Sequence, residues 1–384
     1  MLANYLTPVN QFSIAHAVLN SNLSIGNQIN IHTQENGLPE VKGNEIAILG
    51  VKEDRNSINN LGTGSNLSQI RKELYELFPG NWHKNIVDLG NIEKGNEISD
   101  TYFALKEVVS FLLKKNIIVI LIGGGNDLLY ANYRAYDSLE QVVNIVSVDA
   151  KFDLGSVDDE LSAETYLYKI IMDKPNNLFN FSNIGYQTYF NSQIEKNLIN
   201  DLFFEAYRLG EISKNIAITE PVLRDADIVS MDLSAIKHTE ARANKKASPN
   251  GLTGVEACAV ARYAGLSDKV SSFGIYEYNP KLDKDNQSAK LIAQIIWYFI
   301  EGINYRFNDY PFDLKENYKK YIVPLERQTI NFYKSHKSDR WWMEVSVNNN
   351  LKKTTLIPCT YNEYLDACNQ NIPNRWLSVF KKLN

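Results

Sequence analysis

The sequence predicts an α/β fold of three layers, helices on both faces of a mostly parallel central sheet, and three observations predict it. Apolar runs at 45–51, 86–89, 117–122, 145–149, 183–187, 228–232 and 270–276 are short, rich in β-branched residues and without a wet face; that is the pattern of strands covered on both sides. Helical stripes alternate with them. Leu105, Val108, Val109 and Leu112 share one face, as do Leu291, Ile292, Ile295, Ile296 and Phe299, at the spacing of crossover helices. Several strands also end in carboxylates, and in an open α/β sheet that edge is where ligands bind.

Each remaining segment fits this frame. The first 44 residues are Asn-rich with weak periodicity, which suggests an irregular arm. The α/β domain is expected over 45–304. Thr253-Gly254-Val255-Glu256 is a capping box opening a helix, so Glu256 is read as structural. From 305 to 384 the chain turns aromatic and loop-rich, and Arg340-Trp341-Trp342-Met343 suggests an extension packed on the main domain or on a partner.

Composition excludes several functions. Of 384 residues, 44% are hydrophobic and 22% charged, and 40 basic against 45 acidic residues leave a net charge of −5, which gives no electrostatic case for nucleic acid. No run approaches the roughly 20 apolar residues of a membrane span. The start lacks a basic region followed by an apolar one, so it does not read as a secretory signal, and a cytoplasmic address is expected. Cys258, Cys359 and Cys368 lack metal-ligand spacing and read as small packing residues.

The acidic tips carry the chemistry. Ile145-Val146-Ser147-Val148 runs into Asp149-Ala150-Lys151-Phe152-Asp153, and Ile228-Val229-Ser230-Met231 into Asp232. Unit charges about 4 Å apart at an effective dielectric of about 20 repel by about 4 kcal/mol, so a cation is expected among the three aspartates. A third strand ends in Gly123-Gly124-Gly125-Asn126. Without a following Gly-Lys-Ser/Thr, this turn is read as delivering Asn126 to the edge rather than cradling a phosphate.

In this order the segments resemble the ureohydrolase superfamily of arginase, agmatinase and formimidoylglutamase, whose motifs are Gly-Gly-Asp-His, Asp-Ala-His-x-Asp, Ser-x-Asp-x-Asp and Glu-x-Asn-Pro. The matching residues here are Gly123-Gly124-Gly125-Asn126, Asp149-Ala150-Lys151-Phe152-Asp153, Ser230-Met231-Asp232-Leu233-Ser234 and Glu277-Tyr278-Asn279-Pro280. Ile70-Arg71, Asp88-Leu89-Gly90 and Gly251-Leu252-Thr253 match as well, and Asn183-Ile184-Gly185-Tyr186-Gln187 looks more like the formimidoylglutamase branch than arginase proper. The resemblance implies an arginase-like fold and a site in which two His and four Asp hold two manganese ions.

The departures from that pattern are chemical. Asn126 and Lys151 stand where the family has histidine, and Ser234 where it has aspartate. An ammonium has no lone pair for a metal, so Lys151 removes the second ion and is expected to point into its place. Asp149, Asp153 and Asp232 with the Asn126 carbonyl form an oxygen set suited to one Mn or Mg ion. Glu277 matches the carboxylate that receives the substrate's cationic nitrogen in the family; here it would accept such a group or pair with an internal lysine. His238 is read as a loop residue.

Two functions follow. One is a non-hydrolytic binding or scaffold protein without cofactor, with the C-terminal extension as the surface for a protein partner. The other is a hydrolase of a linear amidine C–N bond, of formimidoylglutamate or guanidino type, with one divalent cation and with Lys151 and Glu277 as catalytic groups. Homo-oligomers are expected from the resemblance, and a small amidine is the expected ligand.

Overall fold

The computed structural model describes residues 2–19, 21–156, 158–309, 315–326, 328–348 and 350–384. Nine parallel strands form the central sheet: β1 (Asn30–Ile31), β2 (Ile46–Val51), β3 (Ile86–Ile92), β4 (Ile118–Ile122), β5 (Val143–Val148), β6 (Leu178–Tyr186), β7 (Glu205–Arg208), β8 (Ile228–Asp232) and β9 (Ser272–Tyr276). Their order is β1-β3-β2-β4-β9-β8-β5-β6-β7. Four strands distant in sequence, β4, β9, β8 and β5, are therefore consecutive at the centre.

The period of two in these strands builds both layers. Ile46, Ile48, Ile120, Val146, Val229 and Phe273 pack on one face. There they meet the helices Ser68–Glu76, Gly254–Leu266 and Gln287–Asn304. Ala47, Leu49, Val119, Leu121 and Ile145 face the other way, under the helices Ile98–Leu113, Leu128–Arg134 and Tyr166–Met172. A strand buried on both sides is apolar at most positions, which explains the nearly continuous runs. Two helices of the first layer approach closely at Gly265 and Gly302, where a Cβ on Gly265 would lie 2.2 Å from the Phe299 carbonyl oxygen and 2.9 Å from the Gly302 Cα.

The capping box forms. Thr253 Oγ1 accepts the Glu256 N–H at 3.2 Å and Glu256 Oε2 accepts the Thr253 N–H at 2.7 Å, so Glu256 serves the helix start. Thr253→Ala is expected to lower stability by about 1 kcal/mol, read as a shifted urea midpoint with an unchanged slope.

Two regions differ from the sequence reading. The expected irregular arm contributes the helices Gln11–Leu19 and Ile25–Gln28, and β1 pairs with β3 at the sheet edge; a two-residue strand has no periodicity to detect. The expected loop-rich extension is an antiparallel meander of β10 (Tyr318–Pro324), β11 (Thr329–Ser335), β12 (Trp341–Val347) and β13 (Asn350–Cys359), followed by the helices Tyr361–Cys368 and Asn374–Leu383. Trp341, Met343 and Val345 alternate into its own core with Ile330, Phe332 and Trp376. That alternation was present in the sequence, hidden by the aromatic composition.

The extension docks on the β7 edge. Arg375 pairs with Glu205 at 3.3 Å and donates to the Tyr207 hydroxyl at 3.0 Å. Arg224 lies 4.4 Å from the Trp342 ring and donates to the Cys359 carbonyl at 3.2 Å. The exposed strand edge is thereby covered, which removes a template for non-specific pairing.

Candidate functional site

The carboxyl ends of the four central strands meet in one buried group. β4 exits through Gly123 and Gly124, with φ of 89° and 77°, conformations that glycine adopts without penalty. A Cβ on Gly124 would lie 2.6 Å from the Glu53 carbonyl oxygen. The turn leaves Asn126 fully buried. β5 delivers Asp149 and Asp153, β8 delivers Asp232, and β9 delivers Glu277. Asp153 and Glu277 hold left-handed backbones, φ 49° and 67°, a conformation uncommon outside glycine and found in constrained sites.

Asp149, Asp153 and Asp232 each present a carboxylate oxygen within 4.8 Å of the others. Backbone donors fix two of them. The Lys151 N–H binds Asp149 Oδ1 at 2.9 Å, and the Ser234 N–H binds Asp232 Oδ1 at 2.6 Å. Asn126 sits between them, its Nδ2 3.2 Å from Asp149 and 3.5 Å from Asp153, while its Oδ1 accepts the Ser230 hydroxyl at 3.1 Å. As assigned, the amide donates to the aspartates. Because a hydroxyl can donate or accept, Ser230 also permits the turned amide whose carbonyl faces the triad.

Burial dominates the electrostatics. It raises Asp149 well above the ordinary carboxyl range, helped by the charges of Asp153 and Asp232. It lifts Asp153 to about 7 with a contribution from Asp232, against Lys246 and Lys151. Asp232 is raised by burial too, opposed first by Lys246. Glu277 reaches about 7 through burial and the Asp232 charge, opposed by Lys246 and by hydrogen bonds from Asn60 and Ser57.

One expected placement differs in three dimensions, and a second residue has partners not foreseen from the sequence. The Lys151 ammonium, placed by the sequence reading in the seat of a second metal, lies instead 3.1 Å from Glu164 Oε1, with its side chain 37% exposed. The reason is geometric: Lys151 leaves the tip between two inward aspartates and turns toward the loop carrying Glu164. Glu277, fully buried, is enclosed by its own chain. Ser57 Oγ donates to both of its oxygens at 2.8 Å, Asn60 Nδ2 to Oε2 at 2.8 Å and the Asn126 N–H to Oε1 at 3.1 Å. Ser57, Asn60 and Lys246 were missed because they belong to no motif. His238 is exposed, as its loop reading expects.

A cleft of about 560 Å³, lined among others by Asn56, Ile58, Lys151, Asp153, Glu164 and Phe190, opens on this edge. A larger one, about 1070 Å³, lies at the opposite, amino-terminal edge beside Asp227 and Lys269; among the described residues the three-aspartate cluster is not there. The donor chemistry decides what the site fits. Three aspartates and a turned Asn126 amide suit one hard divalent ion; Lys151 and Ser234 supply no ligand set for a second.

A doubly covered parallel sheet with a carboxylate cluster at the carboxyl ends of its central strands makes this an arginase-like α/β protein. The sequence profile of the arginase family matches residues 44–301, and the chain belongs to that family. Among curated relatives, the formimidoylglutamase of Staphylococcus haemolyticus (strain JCSC1435) is 26% identical over 268 residues, covering 66% of this chain and 85% of its own. That of Legionella pneumophila (strain Lens) is 29% identical over 273 residues, covering 66% and 84%. Trypanosoma cruzi formiminoglutamase, solved with manganese, superposes with a TM-score of 0.64 at 20% identity, covering 74% of this chain and 99% of its own. Bacillus subtilis formimidoylglutamase gives 0.62 at 18% identity, covering 68% and 88%. At these identities the two structures speak for the fold. Among the described residues no helix is long and apolar enough to cross a membrane.

Proposed function

We propose that this arginase-family chain does not perform dinuclear hydrolysis and acts as a binding or scaffold protein of the cytoplasm, with the C-terminal meander as the surface for a protein partner. The observation that supports it most is the state of Glu277. The carboxylate that the family resemblance assigns to the substrate's cationic nitrogen is fully buried and bonded by Ser57, Asn60 and the Asn126 N–H. An amidine would have to displace those donors. The ligand set points the same way, with three of its six positions held by Asn126, Lys151 and Ser234.

A second reading, hydrolysis of a linear amidine of formimidoylglutamate or guanidino type, is favoured by the aspartate oxygens lying within 4.8 Å of one another. Asp149, Asp153, Asp232 and the Asn126 carbonyl would hold a single Mn or Mg ion, which supplies Lewis acidity and a more acidic bound water. In that reading Lys151 supplies positive charge from its place beside Glu164, and Glu277 orients the ligand.

Elemental analysis of purified protein, combined with assays for ammonia, formamide or urea release, separates the two. The scaffold reading expects less than 0.1 equivalent (~) of divalent metal, no turnover and a Tm unchanged by chelator. One equivalent of metal with product release would replace it by the second.

A further inference from the structure

Lys246 lies on the segment that follows β8, and that segment is fastened on two sides to the buried acids. The Lys246 N–H binds Asn244 Oδ1 at 2.7 Å, and Asn244 Nδ2 reaches Asp232 at 3.4 Å. The Lys245 N–H binds Asn60 Oδ1 at 3.2 Å, and Asn60 Nδ2 binds Glu277 at 2.8 Å. So anchored, the Lys246 side chain is 17% exposed and ends 3.2 Å from Glu164 Oε1, the oxygen that Lys151 meets at 3.1 Å from the more solvated side. Two ammonium groups therefore meet at Glu164, beside the buried acids Asp153, Asp232 and Glu277.

The two lysines do not contribute equally. Burial works against the charge on Lys246, yet Glu277, Asp232, Asp153 and Glu164 outweigh it and hold its pKa above the ordinary value. On Asp153 and Asp232, where burial acts first, Lys246 is the leading opposing cation, ahead of Lys151. At Glu277 it is the leading cation as well.

We infer that Lys246 is the resident counter-cation of this site, a positioning residue whose ammonium, held by Glu164 and the Asn244–Asn60 lacing, keeps a divalent ion from the Asp149–Asp153–Asp232 cluster. The inference deepens the non-hydrolytic reading and rests on it for the premise that the wild-type protein is isolated without metal. An ammonium and a divalent ion repel each other, so the two compete for the same carboxylates. Replacing the ammonium with an uncharged chain of similar length relieves that competition, and retaining a cation there preserves it.

The test is equilibrium dialysis against Mn²⁺, with Tm read in parallel, on wild type, Lys246→Met, Lys246→Arg and Lys151→Met. Lys246→Met is expected to take up one ion at least about tenfold more tightly than wild type and to gain Tm on adding it. Lys246→Arg should behave as wild type, and Lys151→Met should change affinity less than Lys246→Met. Equal affinities for Lys246→Met and wild type, or an equal gain in Lys151→Met, would overturn the inference. Should Lys246→Met fold only with Mn²⁺, the inference is supported. Should it not fold at all, acylation of wild-type lysines in millimolar Mn²⁺ decides: Lys246 still protected while an ion is bound overturns the proposal, whereas Lys246 labelled only as the ion binds, or protected with no ion bound, supports it. Tight metal and amidine turnover in wild type would sink the scaffold reading instead, a result separate from the ranking of the variants.

Discussion

The variant combining Asn126→His, Lys151→His and Ser234→Asp is expected to bind two manganese ions per chain. The three changes add two imidazoles and a carboxylate at the ends of β4, β5 and β8, the positions that the family motifs assign to metal ligands. They also remove a positive charge. Lys151→His has an additional effect on Lys246, because both lysines lean on one Glu164 oxygen at 3.1 and 3.2 Å. With Lys151 gone, Glu164 is left to Lys246 alone, which still opposes the ions, and the two imidazoles with the added carboxylate outweigh it. Manganese counted by elemental analysis after gel filtration gives the answer. A folded triple variant retaining no ion, even with Lys246→Met added, would show that the motif correspondence at these positions is wrong.

The largest expected loss of stability lies elsewhere, at Arg71. Its guanidinium is almost fully buried and spends every nitrogen on β3 and its exit: Nε and Nη2 bind Asp88 at 2.8 and 3.0 Å, Nη2 also binds the Gly90 carbonyl at 2.8 Å, and Nη1 binds Asn91 at 2.7 Å. Tyr75 donates to the same Asp88 at 2.9 Å. Arg71→Met leaves the Asp88 carboxylate buried without its cation, a loss of about 3–5 kcal/mol and, for a domain of this size, on the order of 10 °C in Tm. Arg71→Lys should recover only part of it, since an ammonium cannot reproduce the forked contact. Thermal and denaturant unfolding measure both. A cost below about 1 kcal/mol for Arg71→Met would mean that the network does not hold the helix Ser68–Glu76 to the sheet.

Much of the fold could be read from local pattern. The strands at 86–89, 117–122, 145–149 and 228–232 lie within a residue or two of their positions in β3, β4, β5 and β8, apart from a longer carboxyl end on β3. A doubly covered strand reads as a nearly continuous apolar run, and that is visible in one sequence. β7 was not visible, because Glu205, Tyr207 and Arg208 are polar and break the apolar run; Glu205 and Tyr207 bond each other and pair with Arg375 of the extension. The meander was missed for a related reason. Its inward Trp341, Met343 and Val345 and its Trp342, which turns toward Arg224, are all bulky, so the alternation between faces is lost in the composition.

By itself the sequence determined the class of fold, the residues that end the central strands, and the presence of Asn126, Lys151 and Ser234 where the family resemblance expects metal ligands, since these depend on side-chain chemistry and on order along the chain. Only the tertiary structure decided which charges stand together. The sheet order brings β4, β9, β8 and β5 side by side, and a loop outside the motifs brings Lys246 to their acids while Lys151 turns outward to Glu164. Coulombic interaction depends on separation and burial, and neither is encoded by position in the chain until the sheet has assembled.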